Sequence, residues 1–251
     1  MTPVEFYFDF ASPYGFLAAM QIERIRRHVV WRPFLLGAVY KRFGQSPLEH
    51  PLKRDYVIKV DAPRMAREIG LELKVPAGFP QHALPPSRVF YWIDLQDPVK
   101  AVAFAKVAYR KYWLDGCATD DSGVAADAAA SIGFEREAVL AFMQNADVKD
   151  RIVRENEEAI RKGVFGSPFF LSDGEPFWGA IAWHSLHSPE FAQASKLRRA
   201  TSTRPPGCSS SFGGLADQSH SRTLRLDYSC RRRVRLFHDF ARPNSRRGGI
   251  F

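Results

Sequence analysis

Strand signals are distributed very unevenly along this chain, and that distribution narrows the fold more than anything else. Extended aromatic segments stand near both ends of the first 180 residues, and no strand signal stands between about residue 40 and about residue 160. Residues 4–10 alternate and are rich in aromatics, and residues 29–35 (VVWRPFL) have the same character. Between them Ser12 is a natural N-cap, with Pro13 at the first helical position. A helix is expected from there to about Arg27, burying Phe16, Leu17, Met20 and Ile25. Strand, helix, strand with a crossover implies a parallel pair.

The middle of the chain reads as helices: 53–69, then 89–112 divided at Asp97-Pro98, then 120–132, 135–145 and 147–162. A proline-rich loop, VPAGFPQHALPPS, follows the first of them. Strands return at 164–171, with Ser172-Asp173-Gly174 as a hairpin turn and Glu175–Trp178 as the returning strand. This order, with the last strands entered through a proline, is thioredoxin-like. The expected fold class is therefore α/β, a thioredoxin-like fold with a large all-helical insertion. Residues 1–36 and 163–180 would form a split thioredoxin-like domain around an insertion at 37–162.

At the first strand-to-helix corner, thioredoxin-class redox enzymes carry Cys-x-x-Cys. Here the four positions are Ser12, Pro13, Tyr14 and Gly15. With no thiol at either end of the motif, dithiol chemistry is nearly excluded. Cys117 is the single cysteine of the first 180 residues, which argues against a disulfide framework and for a reducing compartment. No secretory signal or long apolar run is apparent, so a cytoplasmic protein without a membrane partner is expected.

The net charge of +9 describes neither part of the chain. Residues 1–180 hold 23 basic and 23 acidic side chains, whereas 181–251 hold 13 and 4. The tail is also rich in Ser and Arg and lacks apolar periodicity, which is the composition of a disordered segment. Its Arg231-Arg232-Arg233 run resembles a nucleic-acid tail, a reading ranked below the account of the tail given next.

The segments FYFDFASPYGFLAA, PFLLGAVYKRFG, FPQHALPPSR and GVFGSPFFLSDGEPFWGA occur in this order over residues 3–180. Together they resemble 2-hydroxychromene-2-carboxylate isomerases, a family related to kappa-class glutathione transferases and DsbA-like proteins. The resemblance implies glutathione as cofactor, held by Ser12, by Ser167 before a normally cis Pro168, and by Ala180. It implies substrate contacts from Tyr40, Lys41 and His82, with Arg88 as a second cationic candidate. The family usually has Asn where Gln45 and His82 stand. It also continues Trp-Gly-x-Asp-Arg-Leu, whereas this chain reads Trp178-Gly179-Ala180-Ile181-Ala182-Trp183-His184. Ile-Ala-Trp-His can be encoded ATC GCC TGG CAC; one G placed in front restores Asp-Arg-Leu-Ala. A one-base frameshift is the preferred account of 181–251, an aberrant basic tail.

These observations point to a glutathione-dependent isomerase of 2-hydroxychromene-2-carboxylate or a related unsaturated aryl pyruvate. Its partner would be a small aromatic carboxylate and no nucleic acid, and a homodimer is possible. A kappa-type transferase and a damaged, inactive chain of that family are the alternatives. Each residue also has a plainer reading: Ser12 as a helix cap, Pro168 as the start of an edge strand, Lys41 and Arg88 as surface charges.

Overall fold

The computed structural model describes residues 2–44, 50–76 and 78–179, with side chains omitted at 146–149. Gln45, Ala180 and the basic tail lie outside the described residues. The first strand, β1 (Val4–Phe8), leads through Ser12 into α1 (Pro13–Ala19), and β2 (Val29–Pro33) follows a short 3-10 turn at Ile22–Arg24. Then come α2 (Leu36–Arg42), α3 (Pro51–Tyr56), a π-helical turn at Val57–Asp61, and α4 (Ala62–Glu68). Next are α5 (Leu84–Asp94), α6 (Pro98–Trp113), α7 (Ser122–Ala130), α8 (Arg136–Phe142) and α9 (Ala146–Arg161). The chain returns to the sheet as β3 (Phe169–Ser172) and β4 (Glu175–Trp178).

The sheet order is β2-β1-β3-β4. β1 and β2 run parallel, with Phe6 opposite Trp31, and β3 is antiparallel to β1, with Phe170 opposite Phe6. This is the expected thioredoxin-like sheet, with helices filling the sequence between its two halves. The turn into β4 is the two-residue Asp173-Gly174 with φ of 53° and 82°. Positive φ at both positions is what a tight hairpin of the primed type requires, and Asp-Gly is suited to it.

Both faces of the sheet are covered. Phe6 and Phe8 face a large core with Trp31, Phe90, Tyr109 and Phe170; Tyr7 faces a smaller one with Phe34, Val39, Ala159, Val164 and Phe169. That double burial explains why β1 is aromatic at successive positions rather than alternating with polar residues.

Boundaries differ from expectation at α1, β2, the helix expected over 53–69 and β3, and α5 begins at Leu84, inside the loop expected to run up to the helix at 89. α1 stops at Ala19 rather than near Arg27: the Gln21 amide donates to the Leu17 carbonyl at 3.1 Å, and Arg27 is drawn to Ser172 Oγ at 2.7 Å. β2 stops at Pro33, and α2, which no sequence signal announced, begins three residues later. The single helix expected over 53–69 contains the π turn, followed by Pro63, which has no N–H to donate. The strand expected from 164 starts only at Phe169, after the cis Ser167–Pro168 bond. No helix among the described residues is long and apolar enough to cross a membrane.

The Phe8 ring packs on Phe10, Trp31 and Phe90, with centroids 5.1, 5.3 and 5.9 Å away, so it joins the sheet to the helical layer. Phe8→Ala is expected to cost about 3–5 kcal/mol in urea denaturation.

Candidate functional site

The site is built where β1 ends. Ser12 is 7% exposed and caps α1: its Oγ accepts the Gly15 N–H at 3.1 Å and donates to the Ser167 carbonyl at 3.0 Å. The residue singled out at the corner is thus bonded directly to the one singled out before Pro168. Of the first amides of α1, Pro13 has none, Gly15's goes to Ser12 Oγ, and Phe16's goes to the Ser12 carbonyl at 3.0 Å. Tyr14's amide is what remains.

Ser167 has its hydroxyl turned inward. Its Oγ accepts the Asp9 N–H at 2.9 Å and lies 2.7 Å from where a Cβ on Gly15 would stand. The Tyr109 hydroxyl lies 2.7 Å from the same point and the Asp9 carbonyl 3.2 Å. A side chain at the fourth position of the corner, a cysteine included, would therefore have to displace the Ser167 and Tyr109 hydroxyls.

The helical layer pins the strand ends by donating to their carbonyls. Tyr109 reaches Asp9 O at 3.0 Å, Trp113 Nε1 reaches Phe10 O at 2.9 Å, and Tyr91 reaches Pro33 O at 2.7 Å. Tyr14 ties α1 to the π turn by donating to Asp61 Oδ2 at 2.6 Å. Burial, and then the Asp61 carboxylate, raise the Tyr14 pKa, which keeps the phenol protonated for this role.

Asp9 is 5% exposed, yet both carboxylate oxygens are engaged. Oδ1 accepts the Ala11 N–H at 2.8 Å and Oδ2 the Leu36 N–H at 2.7 Å. Burial pushes its pKa up to about 6, against the pull of those two N–H groups and of His82. Tyr40, half-buried on α2, has its pKa raised by burial first and then by the Asp9 charge.

The other expected site residues fall around this centre unequally. Lys41 is exposed in the last turn of α2. His82 is exposed on the loop before α5, close enough to act on Asp9, and its carbonyl accepts the Thr119 hydroxyl at 3.2 Å. Arg88 is half-buried; its Nη1 donates to the Met143 carbonyl at 3.3 Å, at the end of α8. Burial lowers its pKa, and it has no carboxylate partner among the described residues. That bond ties Arg88 to the helical layer rather than to Ser12. Asp9 was missed by sequence reading, although an acidic residue inside the run FYFDFA is itself a signal, since a buried carboxylate needs dedicated partners.

A thioredoxin-like sheet with this corner defines the class, and comparison with known proteins gives the family. A model of the DSBA-like thioredoxin domain matches residues 3–189, and the chain belongs to that family. It is 27% identical over 183 residues to the 2-hydroxychromene-2-carboxylate isomerase of Pseudomonas putida, covering 70% of this chain and 88% of that protein. To glutathione S-transferase kappa 2 of Caenorhabditis elegans it is 26% identical over 187 residues, covering 68% and 81%. The solved structure of a 2-hydroxychromene-2-carboxylate isomerase superposes with a TM-score of 0.69 at 26% identity, covering 81% of this chain and all of that one. The resemblance read from the four motifs therefore holds.

Two outcomes follow from the packing. Gly15→Ala is expected to lose about 1–3 kcal/mol by overpacking against Ser167 and Tyr109, checked by thermal unfolding. Because folding raises the Asp9 pKa from 3.8 to about 6, the native state holds a proton that the unfolded chain releases between those values. Stability is then expected to fall by roughly 3 kcal/mol through this group as pH rises across that window. Asp9→Asn removes that slope, checked by urea midpoints at both ends of it.

Proposed function

We propose that the chain binds glutathione at the Ser12 corner and uses its thiolate to isomerise a carbon–carbon double bond in 2-hydroxychromene-2-carboxylate or a related unsaturated aryl pyruvate. The observation that carries this reading is a buried serine hydroxyl, with no cysteine beside it, at the position where redox relatives of the fold keep their reactive thiol. A site so arranged has to take its sulfur from a ligand.

Ser12 supplies one proton, and in the free protein it is directed at the Ser167 carbonyl. On binding, the hydroxyl turns to the glutathione sulfur. The Ser167 carbonyl, released, accepts the cysteinyl N–H of the tripeptide, so the backbone before Pro168 pairs with it like an added strand. Neither step needs Ser12 to ionise. α1 is only seven residues long, so its dipole adds little, and the hydroxyl is the main stabiliser of the anion. A charge-assisted hydrogen bond of ~1.5–3 kcal/mol raises the ratio of thiolate to thiol about 10- to 100-fold.

The hemiketal of the substrate opens first: its C–O bond to the aryl oxygen breaks, the hydroxyl proton passes to the departing phenol and a ketone forms, and the thiolate then adds to the unsaturated side chain conjugated with it. A C–S bond forms, and the electron pair of the double bond moves onto the conjugated carbonyl oxygen as an enolate. The former double bond is now single and rotates. The enolate collapses, the C–S bond breaks, and the double bond re-forms with the opposite geometry while the thiolate is regenerated. Nothing is oxidised or reduced. Lys41, exposed on α2 beside Tyr40, is placed in the role of orienting the substrate carboxylate and stabilising the enolate. His82 is assigned the phenolic end. Arg88 is the second cationic candidate, and its bond to Met143 favours Lys41 over it.

The similarity to a kappa-class glutathione transferase keeps a second reading, in which the adduct is released as product. An assay with an unsaturated aryl pyruvate separates the two. Isomerisation leaves glutathione undiminished over many turnovers, whereas a transferase consumes it into a stable conjugate. With glutathione bound, the wild type is expected to show an ultraviolet mercaptide band at neutral pH. Ser12→Ala is expected to lose the band and about 10- to 100-fold in kcat/KM. A band of equal strength in the variant would remove Ser12 from this role.

A further inference from the structure

α2 begins without a side-chain cap of its own. Its entry is held by two side chains remote in sequence: Leu35 N–H donates to Asn156 Oδ1 at 2.8 Å, and Leu36 N–H donates to Asp9 Oδ2 at 2.7 Å. The other oxygen of Asp9 holds Ala11, next to Ser12, at 2.8 Å. One carboxylate therefore joins the corner that carries Ser12 to the helix that carries Tyr40 and Lys41. We propose that Asp9 is a positioning residue of this site, keeping α2 in register with the Ser12 corner, and that it does so as a carboxylate. The proposal rests on the glutathione-dependent reading given above.

The chemistry of the tie requires the charged form. Two N–H groups converge on one side chain, and a carboxylate accepts at both oxygens, whereas a carboxylic acid or an amide turns a donor toward one of them. An ionised side chain this deeply buried is a burden on the fold at neutral pH, and what it secures in return is the alignment of α2. The titratable groups facing it are Tyr40 from α2, Tyr109 from α6 and His82 from the loop before α5. Only His82 among these can become a cation, and its charge favours the carboxylate. As pH falls through the Asp9 pKa of about 6, the proton taken up displaces one of the two N–H bonds, and the entry to α2 slackens.

The test uses the full chain and three readouts. Asp9→Asn is expected to raise KM for the aryl substrate about tenfold or more while the mercaptide absorbance of bound glutathione changes less than about twofold. Protonation of the bound thiolate gives both proteins an acid limb in kcat/KM, and the wild type is expected to show a further limb near pH 6 that Asp9→Asn lacks. Asn156→Ala, which cuts the other tie to α2, is expected to raise KM and keep the further limb. In amide hydrogen exchange, Leu36 N–H is expected to lose about tenfold or more of its protection in Asp9→Asn, and in the wild type between neutral and acid pH once intrinsic rates are removed. A limb near pH 6 that survives Asp9→Asn, unchanged Leu36 protection, or loss of the mercaptide band in place of a KM effect overturns the proposal. Failure of the parent reading shows separately, as a wild type without a mercaptide band, and the Leu36 measurement then still decides whether Asp9 holds α2.

Discussion

The hydrogen bonds that converge on Asp9 are the constraint from which the rest of the corner follows. Its amide holds Ser167, its carbonyl receives Ser12 N–H at 2.9 Å and the Tyr109 hydroxyl, and its carboxylate receives Ala11 and Leu36. These partners come from α6, from the approach to α1, from the start of α2 and from the loop before β3. A residue with so many fixed neighbours leaves little freedom for Ser12, which is why a hydroxyl can be aimed without a rigid metal or disulfide to hold it. The three aromatic donors Tyr91, Tyr109 and Trp113 extend the arrangement. They bury large rings in the core and place their single polar side-chain atoms on the carbonyls of Pro33, Asp9 and Phe10.

The corner also lacks the pair of thiols that disulfide exchange uses. A dithiol needs side chains at both ends of the four-residue motif. Here the space at Gly15 is occupied by Ser167 and Tyr109, so the limitation lies in packing as well as in the identity of residue 12. In the proposed reading the sulfur is supplied by glutathione and held beside a Ser12 hydroxyl that does not itself react.

Much of this was legible in the sequence. The aromatic strands, the Asp173-Gly174 turn, the Asp97-Pro98 break before α6 and the Ser12-Pro13 start of α1 are local signals, set by neighbours a few residues away. What the sequence concealed depends on long-range partners. α2 has no cap of its own and exists at its entry because Asp9 and Asn156 reach it from 27 and 121 residues away. The end of α1 depends on where Arg27 is needed, and the reason for glycine at position 15 depends on residues 109 and 167. Ser12 was found because a corner motif announces it, whereas Asp9, just past the end of β1, matters through bonds to Leu36 and Ser167 that local pattern does not display.

The outer margins of the sheet, β2 and β4, each contain a proline: Pro33 ends β2, and Pro176 stands opposite Leu171 in β4. A proline has no amide hydrogen, so among the described residues neither margin offers an unbroken ladder of donors to a neighbouring molecule. Growth of this sheet by strand addition, whether into a fibre or onto an extended peptide, is discouraged along β4, and β2 is kept short by the proline that ends it.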